Sequence, residues 1–118
     1  MKLAASLAAL TLALTPFAAA AQTKVKLGVL ADLAGLYSDI GGTGAVDAVN
    51  MAIEDFQPAK KGMSVEVVSA DSQNKPDIST TIGRRWFDAE GVDAIFDIPT
   101  SGIAMALQSL VKEKNKAM

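Results

Sequence analysis

Three cycles of strand-like and helix-like segments follow an apolar N-terminal segment. In the first cycle, residues 25–31 are short, apolar and β-branched, and a loop rich in Gly, Asp and Ser follows them. From Thr43 onward, apolar side chains recur every three or four positions, with polar side chains between them, until Pro58. This spacing predicts an amphipathic helix that ends before the proline.

The second and third cycles repeat this pattern. Residues 64–70 predict a second strand, which opens into a polar loop. Asp77 is a good N-cap for the second helix, and Gly91 stands where a C-terminal glycine would end that helix. Residues 92–98 predict the third strand, and Ser101 begins the third helix.

The order strand, helix, strand, helix, strand, helix predicts the α/β fold class. The strands are apolar throughout, which is typical of a parallel sheet with helices on both faces. Lys112, Lys114 and Lys116 suit the end of the third helix because cations stabilise the negative end of the helix dipole. A fourth strand should follow, since three strands leave a sheet edge exposed. We therefore expect residues 22–118 to begin a longer protein, with a complete small domain as the alternative.

The N-terminal residues 1–21 have the pattern of a secretory signal peptide. Lys2 is followed by an apolar stretch, and Ala19 and Ala21 form a small-residue cleavage site. A membrane anchor would need about 20 continuous apolar residues, whereas polar residues and a proline interrupt this stretch. We expect cleavage after Ala21, which leaves residues 22–118 as the mature segment.

The composition disfavours several classes of function. The 118 residues include no Cys and no His, and the formal net charge is -2. Disulfides, thiol chemistry and the commonest metal ligand and general base are excluded. We therefore expect no metal and no cofactor, and an enzyme is disfavoured. The acidic balance argues against nucleic acid as a partner. Gly42 and Gly44 do not complete a dinucleotide-binding motif, because Asp47 follows where that motif requires Gly or Ala.

Three small residues, Thr100, Ser101 and Gly102, join the third strand to the third helix. Ligands of open α/β sheets bind at the carboxyl edge of the strands. A helix N-terminus offers free backbone N–H groups and a partial positive charge there, and the Ser101 hydroxyl adds a donor, so the joint suits a carboxylate. The alternative is that Ser101 only caps its own helix.

The loops after the first two strands should reach the same edge. The first loop carries Tyr37, Ser38 and Asp39, and the second carries Asp71, Ser72 and Gln73. Tyr37 has no obvious core to fill, so we expect it to form a flat wall facing a ligand. The alternative is that Tyr37 packs on the first helix.

Four stretches carry a resemblance to a known family: GLYSDIG at 35–41, DSQNKP at 71–76, DAEGVDAI at 88–95 and PTS at 99–101. With them, the chain resembles the substrate-binding proteins of branched-chain amino acid ABC importers, the leucine/isoleucine/valine-binding family of periplasmic receptors. The resemblance implies the N-terminal part of a type I periplasmic-binding-protein lobe. In that lobe Ser101 and neighbouring N–H groups, including that of Gly102, take the ligand carboxylate, and Tyr37 lines the cleft. Asp97 stands where amino-acid-binding members often have Gly, and the stretch DIPTS at 97–101 looks more like the branch of the family that takes other small organic solutes, including aromatic acids, amides and urea-like compounds.

The resemblance implies a periplasmic solute receptor of an ABC importer. Such a receptor binds a small carboxylate or amide solute by closure of two lobes and delivers it to an inner-membrane permease. Two alternatives remain open: a truncated, non-functional product of such a gene, and the ligand-binding lobe of a related sensory receptor. An exported hydrolase or kinase-like lobe would need a nucleophile with its base or a phosphate loop, and neither motif is present.

Overall fold

The structure is a computed structural model that describes residues 21–118. The predicted signal peptide, residues 1–21, lies outside the described residues apart from Ala21. Strands and helices alternate as predicted, which confirms the α/β class. The elements are β1 (Thr23–Ala31), α1 (Gly42–Phe56), β2 (Met63–Asp71), α2 (Pro76–Asp88), β3 (Ala94–Phe96) and α3 (Ser101–Lys114), with a 3₁₀ turn at Pro58–Lys61.

The three strands form one parallel sheet in the order β2-β1-β3. β1 pairs with β2 along its whole length, from Thr23 opposite Met63, but with β3 over three residues only. On the outer side of β3, Ala117 forms a parallel bridge with Ala94, and the Ile95 N–H donates to the Ala117 carbonyl at 3.0 Å. The chain after α3 thus returns to the sheet beside β3, where the sequence predicts a further strand.

Alternation along β1 directs its side chains to two different layers. Leu30 packs in the main core, and Gly28 lies against the ring of Trp86 in α2. Val25 and Leu27 point to the other face, where they lie beside α1. Because successive strand residues face opposite sides, α2 and α3 cover one face of the sheet and α1 covers the other, as a doubly covered parallel sheet requires.

The main core lies between the sheet and the α2–α3 pair. Trp86 is 1% exposed, and a Cβ on Gly28 would lie 2.5 Å from the ring atom Cζ3. Glycine at position 28 therefore lets the indole pack flat on the backbone of β1. Gly83 similarly allows close approach of α3, since a Cβ there would be 3.0 Å from a Leu107 methyl carbon. The core residues are Leu30, Trp86, Phe87, Val92, Ile95, Ile103, Leu107 and Leu110.

The α1 face is packed more loosely than the sequence predicts. Gly42 is the only buried residue of α1, although the helix has the expected apolar stripe. That stripe and the sheet line an open groove of 530 Å³. Phe56 at one end of the groove is 49% exposed, and Phe96 of β3 is 43% exposed. This surface, the α1 groove, is therefore only half closed in residues 21–118.

Two predicted helix boundaries are wrong. Lys75, and not Asp77, is the N-cap of α2, because Pro76 takes the first helical position; proline suits that position, where its missing N–H would be unpaired in any case. Asp77 still lies in the first turn, where the helix dipole stabilises its negative charge. The helix ends at Asp88, and Gly91, with φ 70°, follows in the turn beyond the C-cap.

β3 is shorter than the predicted 92–98 strand. Asp97 leaves the extended region with φ 57°, which ends the strand after Phe96. Before the strand, the Asp93 N–H donates to the Lys26 carbonyl at 2.8 Å, and the Lys26 N–H donates to Asp93 Oδ2 at 2.9 Å.

Among the helices of residues 21–118, none is long and apolar enough to cross a membrane.

Candidate functional site

The carboxyl ends of the three strands meet at one edge of the sheet, which we call the rim. The rim consists of the first loop (residues 32–41), the second loop (residues 72–75) and the joint between β3 and α3 (residues 97–100). The first two loops are bound to each other. The Leu33 N–H donates to Asp71 Oδ1 at 3.1 Å, and the Ser72 N–H donates to the Ala31 carbonyl at 2.7 Å.

The joint contacts the end of the first loop, and the start of α3 contacts the start of α2. On one side, the Asp97 carboxyl packs on Gly41, where a Cβ would lie 3.0 Å from Oδ2. On the other side, a Cβ on Gly102 would lie 3.7 Å from Cγ of Pro76, the first residue of α2. The structure therefore brings together the three segments that the topology predicts to meet at this edge.

The N-terminus of α3 opens at the rim with its polar groups available. Thr100 is the N-cap in extended conformation, and no side chain caps the helix. Ser101 and Gly102 are exposed. The capping hydrogen bond that would explain Ser101 by helix stability alone is thus not made. The first N–H groups of α3 have no intrahelical partners, so they and the Ser101 hydroxyl can serve an anion.

Tyr37 is held at the rim by a buried carboxylate. Asp32 is 1% exposed, and its two oxygens accept the N–H groups of Gly35 and Tyr37, each at 3.0 Å. A Cβ on Gly35 would lie 2.5 Å from Asp32 Oδ1, so the turn requires glycine there. Sequence reasoning missed Asp32. Its signal is an Asp directly after a buried strand with Gly three residues later, because short Asp side chains in loops bind nearby backbone N–H groups.

The Ser38 hydroxyl is committed inside the first loop. It donates to the Gly35 carbonyl at 2.8 Å. Two further bonds close the same turn, since the N–H groups of Ile40 and Gly41 both donate to the Tyr37 carbonyl, at 3.0 and 3.1 Å. The Ser38 oxygen retains acceptor capacity. Ser38 therefore suits a solute N–H better than a solute carboxylate.

The second loop is fixed by its own polar side chains. Asp71 Oδ1 accepts the Gln73 N–H at 2.9 Å in addition to that of Leu33. The buried Ser72 hydroxyl oxygen accepts the Asn74 N–H at 3.2 Å. Gln73 and Asn74 have φ of 49° and 52°. The loop therefore holds a left-handed turn that Asp71 ties to the first loop.

Asp97 differs from the other two rim carboxylates. Asp32 and Asp71 are satisfied by backbone N–H groups, whereas Asp97 Oδ2 is buried with no hydrogen-bond partner in the described residues. Burial raises the pKa of the Asp97 carboxyl above its ordinary value. None of the ion pairs within residues 21–118 involves these three carboxylates. Hydrogen-bond donors at the rim include the N–H groups and the hydroxyl at the start of α3 and the side chains of Gln73, Asn74 and Lys75.

The fold is an open parallel α/β sheet with three loops at the carboxyl ends of its strands. Proteins with this fold bind small ligands at that edge. Residues 24–118 match the family model described as periplasmic binding protein, and the chain belongs to this family. The resemblance inferred from the sequence is thereby confirmed. No protein with a curated description matches the chain.

Solved structures share the fold. A branched-chain amino acid ABC transporter periplasmic ligand-binding protein from Burkholderia xenovorans LB400 is 51% identical, with a TM-score of 0.75, over 79% of this chain and 25% of its own. A periplasmic binding protein from Burkholderia mallei is 38% identical, with a TM-score of 0.71, over 81% of this chain and 25% of its own.

A more distant solute-binding protein of an ABC transporter from R. palustris, in complex with benzoate, shares the fold. It is 23% identical, with a TM-score of 0.61, over 79% of this chain and 26% of its own. The chain spans about a quarter of the length of these solved structures.

Proposed function

We propose that residues 22–118 form the N-terminal part of the first lobe of a periplasmic receptor that captures a small carboxylate or amide solute for an ABC importer. The observation that carries the proposal is the N-terminus of α3. It opens at the rim, no side chain caps it, and Ser101 is exposed at its first position. Membership of the periplasmic binding protein family supports the role.

The solute carboxylate is held at the start of α3. The backbone N–H groups at Ser101 and Gly102 and the Ser101 hydroxyl donate to the oxygens, and the helix dipole favours the negative charge. The Burkholderia xenovorans relative is described as a branched-chain amino acid transporter component, and the R. palustris neighbour is described in complex with benzoate. Both kinds of solute carry a carboxylate, which agrees with a shared carboxylate-binding site at the start of α3.

The first loop supplies the wall of the site. Tyr37, with its backbone fixed by Asp32, packs its ring on the apolar part of the solute. Ser38 accepts a hydrogen bond from a solute N–H, because its own hydrogen is given to Gly35. Thr100, the N-cap of α3 in extended conformation, completes the polar stretch at the start of the helix.

The remainder of the receptor completes the cleft. A second lobe closes over the solute by a hinge motion, and the closed receptor delivers the solute to an inner-membrane permease. The signal peptide, residues 1–21, directs export to the periplasm and is removed there. The receptor is not an enzyme, in keeping with the absence of His and Cys from the 118 residues.

The test is calorimetric titration of the full-length protein with isoleucine, benzoate and benzamide. Ser101→Ala should weaken binding of a carboxylate solute by about 10- to 100-fold, since a hydrogen bond to a charged group contributes about 1.5 to 3 kcal/mol. Ser109→Ala, at an exposed serine of the same helix, is the matched control and should leave affinity unchanged. Equal affinity of wild type and Ser101→Ala would discard the carboxylate hold.

A further inference from the structure

Asp97 combines unfavourable features at one position of the rim. Its φ of 57° lies in the left-handed region that favours glycine. Its Oδ2 is buried without a hydrogen-bond partner among the described residues. Burial also disfavours its charged form and raises its pKa. Strained backbone and unpaired buried polar atoms cluster at functional sites, where the surrounding structure maintains them.

The contact that this carboxyl makes is with the end of the first loop. Asp97 Oδ2 and Oδ1 would lie 3.0 and 3.3 Å from a Cβ on Gly41, which is tighter than an ordinary side-chain contact. Gly41 is in turn bonded to the site, because its N–H donates to the Tyr37 carbonyl at 3.1 Å. Asp97 therefore contacts the residue, Gly41, whose hydrogen bond to Tyr37 closes the turn that carries Tyr37 and Ser38.

The surroundings of Asp97 exclude an ion-pair role within residues 21–118. It lines an open depression of 410 Å³ together with one residue of β3 and several residues of α1 and the end of the first loop. None of these neighbours carries a charged side chain. What the carboxyl contacts instead is the N-cap of α1, a helix without any side-chain cap, where negative charge is favourable. The neighbours are Ile40, Gly41, Gly44, Ala45, Ala48, Val49 and Phe96.

We infer that Asp97 is a positioning residue whose carboxyl, packed against Gly41 at the start of α1, fixes the turn from Tyr37 to Gly41 and so sets where Tyr37 and Ser38 meet the solute. This inference rests on the proposed function. It implies that residues 41 and 97 are matched, since the carboxyl occupies the space that any side chain at position 41 would need.

The experiment is a double-mutant cycle between positions 41 and 97 in the full-length protein, with affinity measured for isoleucine and benzoate. Gly41→Ala should weaken binding about tenfold in the wild-type background and have little further effect in an Asp97→Gly background, because the two positions are in contact. Glycine at position 97 also fits the left-handed backbone. The loss of affinity caused by Asp97→Gly therefore measures the effect of removing the carboxyl. Asp97→Asn keeps the shape and should keep affinity within about threefold.

Gly44→Ala is the matched control, since a Cβ at Gly44 meets nothing within 4 Å. If Gly41→Ala costs the same affinity in both backgrounds, the inference is overturned. It is also overturned if the two substitutions couple in urea unfolding while solute affinity does not change. In either case the proposed function would stand on the result for Ser101→Ala.

If the wild-type protein binds neither isoleucine nor benzoate, the proposed function is contradicted for these ligand classes. The inference is then decided by hydrogen exchange at the amides of Ile40 and Gly41, whose bonds to Tyr37 close the turn. Faster exchange in Asp97→Gly than in wild type and Asp97→Asn supports the positioning role. Equal exchange in all three proteins overturns it.

Discussion

Two carboxylates at the rim accept hydrogen bonds from backbone N–H groups, and these bonds fix the conformation of the loops. Asp32 accepts two N–H groups of the first loop, and Asp71 accepts one from each of the first two loops. Hydrogen bonds to an ionised acceptor are about twice as strong as neutral ones. The loop residues that we propose to face a solute therefore depend on carboxylates whose oxygens bind the loop backbone.

At the residue scale, Asp32→Asn should destabilise the first loop and weaken solute binding. The amide can accept one of the two N–H groups, but its own NH₂ then opposes the other. The expected loss is about 1 to 3 kcal/mol in the free energy of unfolding, with reduced affinity because Tyr37 is released. Urea unfolding followed by circular dichroism, together with titration of the solute, measures both effects.

The control is Asp39→Asn, at an exposed position of the same loop, which should be close to wild type in both measurements. If Asp32→Asn and Asp39→Asn unfold at the same urea concentration, the two bonds of Asp32 contribute nothing to the loop. The role assigned to Asp32 would then be withdrawn.

At the element scale, periodicity predicts the helices and strands well and their ends less well. Ile103, Leu107 and Leu110 are buried as their spacing in α3 predicts. The end of β3 is different, because it depends on where its pairing with β1 stops, after Phe96, and on the left-handed conformation of Asp97. Neither is encoded in a local pattern of apolar residues, since pairing between strands is set by tertiary contacts.

The same distinction applies to the candidate site. The position of Ser101 at the start of α3 could be predicted because parallel strands bring their carboxyl ends to one edge. The direction of a side chain within a loop could not. Ser38 donates inward to Gly35, and Asp97 packs on Gly41. Both depend on contacts between residues that a periodic pattern does not relate.

Asp93 gives a pH-dependent test of how the elements are joined. It accepts the N–H of Lys26 in β1 and the ammonium of Lys116 beyond α3, at 2.9 and 3.1 Å. The bond from the Lys26 N–H, followed by the bond from Lys116, lowers the pKa of the Asp93 carboxyl below its ordinary value of 3.8. The stability that it contributes is therefore fully present above pH 3.8 and is lost as the pH falls through the lowered pKa.

Asp93→Asn should reduce the free energy of unfolding by about 1 kcal/mol at pH 7. The difference from wild type should shrink once the pH falls below the lowered pKa, where the wild-type carboxyl is also neutral. Urea unfolding of the full-length protein across this pH range measures the trend. Asp55→Asn, at an exposed position of α1, controls for the loss of a charge. A difference from wild type that is the same at every pH would contradict the assignment.

At the scale of the whole molecule, the two faces of the sheet differ in how completely they are covered. The α2–α3 face holds the buried core, with Trp86 at 1% exposure. The α1 groove on the other face leaves Phe56 and Phe96 nearly half exposed. Exposed apolar surface of this kind promotes association unless something covers it. Coverage of the groove is thus where residues 22–118 alone should differ from the full-length receptor that we propose.

Residues 22–118 produced alone should bind an apolar dye such as ANS and associate at micromolar concentration, because the α1 groove is open to solvent. In the full-length protein, the remaining part of the first lobe should cover the groove and abolish both effects. Fluorescence titration and analytical ultracentrifugation measure them, with circular dichroism to establish that the short chain keeps its helices.

Ala52→Glu places a charge in the α1 groove at an exposed position and should reduce dye binding by the short chain, whereas Asp47→Asn, an exposed polar position on the same helix outside the groove, should not. Dye binding that is equally strong in the full-length protein would mean that the groove stays open in the receptor. The proposal that later parts of the chain complete this lobe against α1 would then fail. The anion hold at Ser101 would still be judged by its own titration, since the rim and the α1 groove are built from different residues.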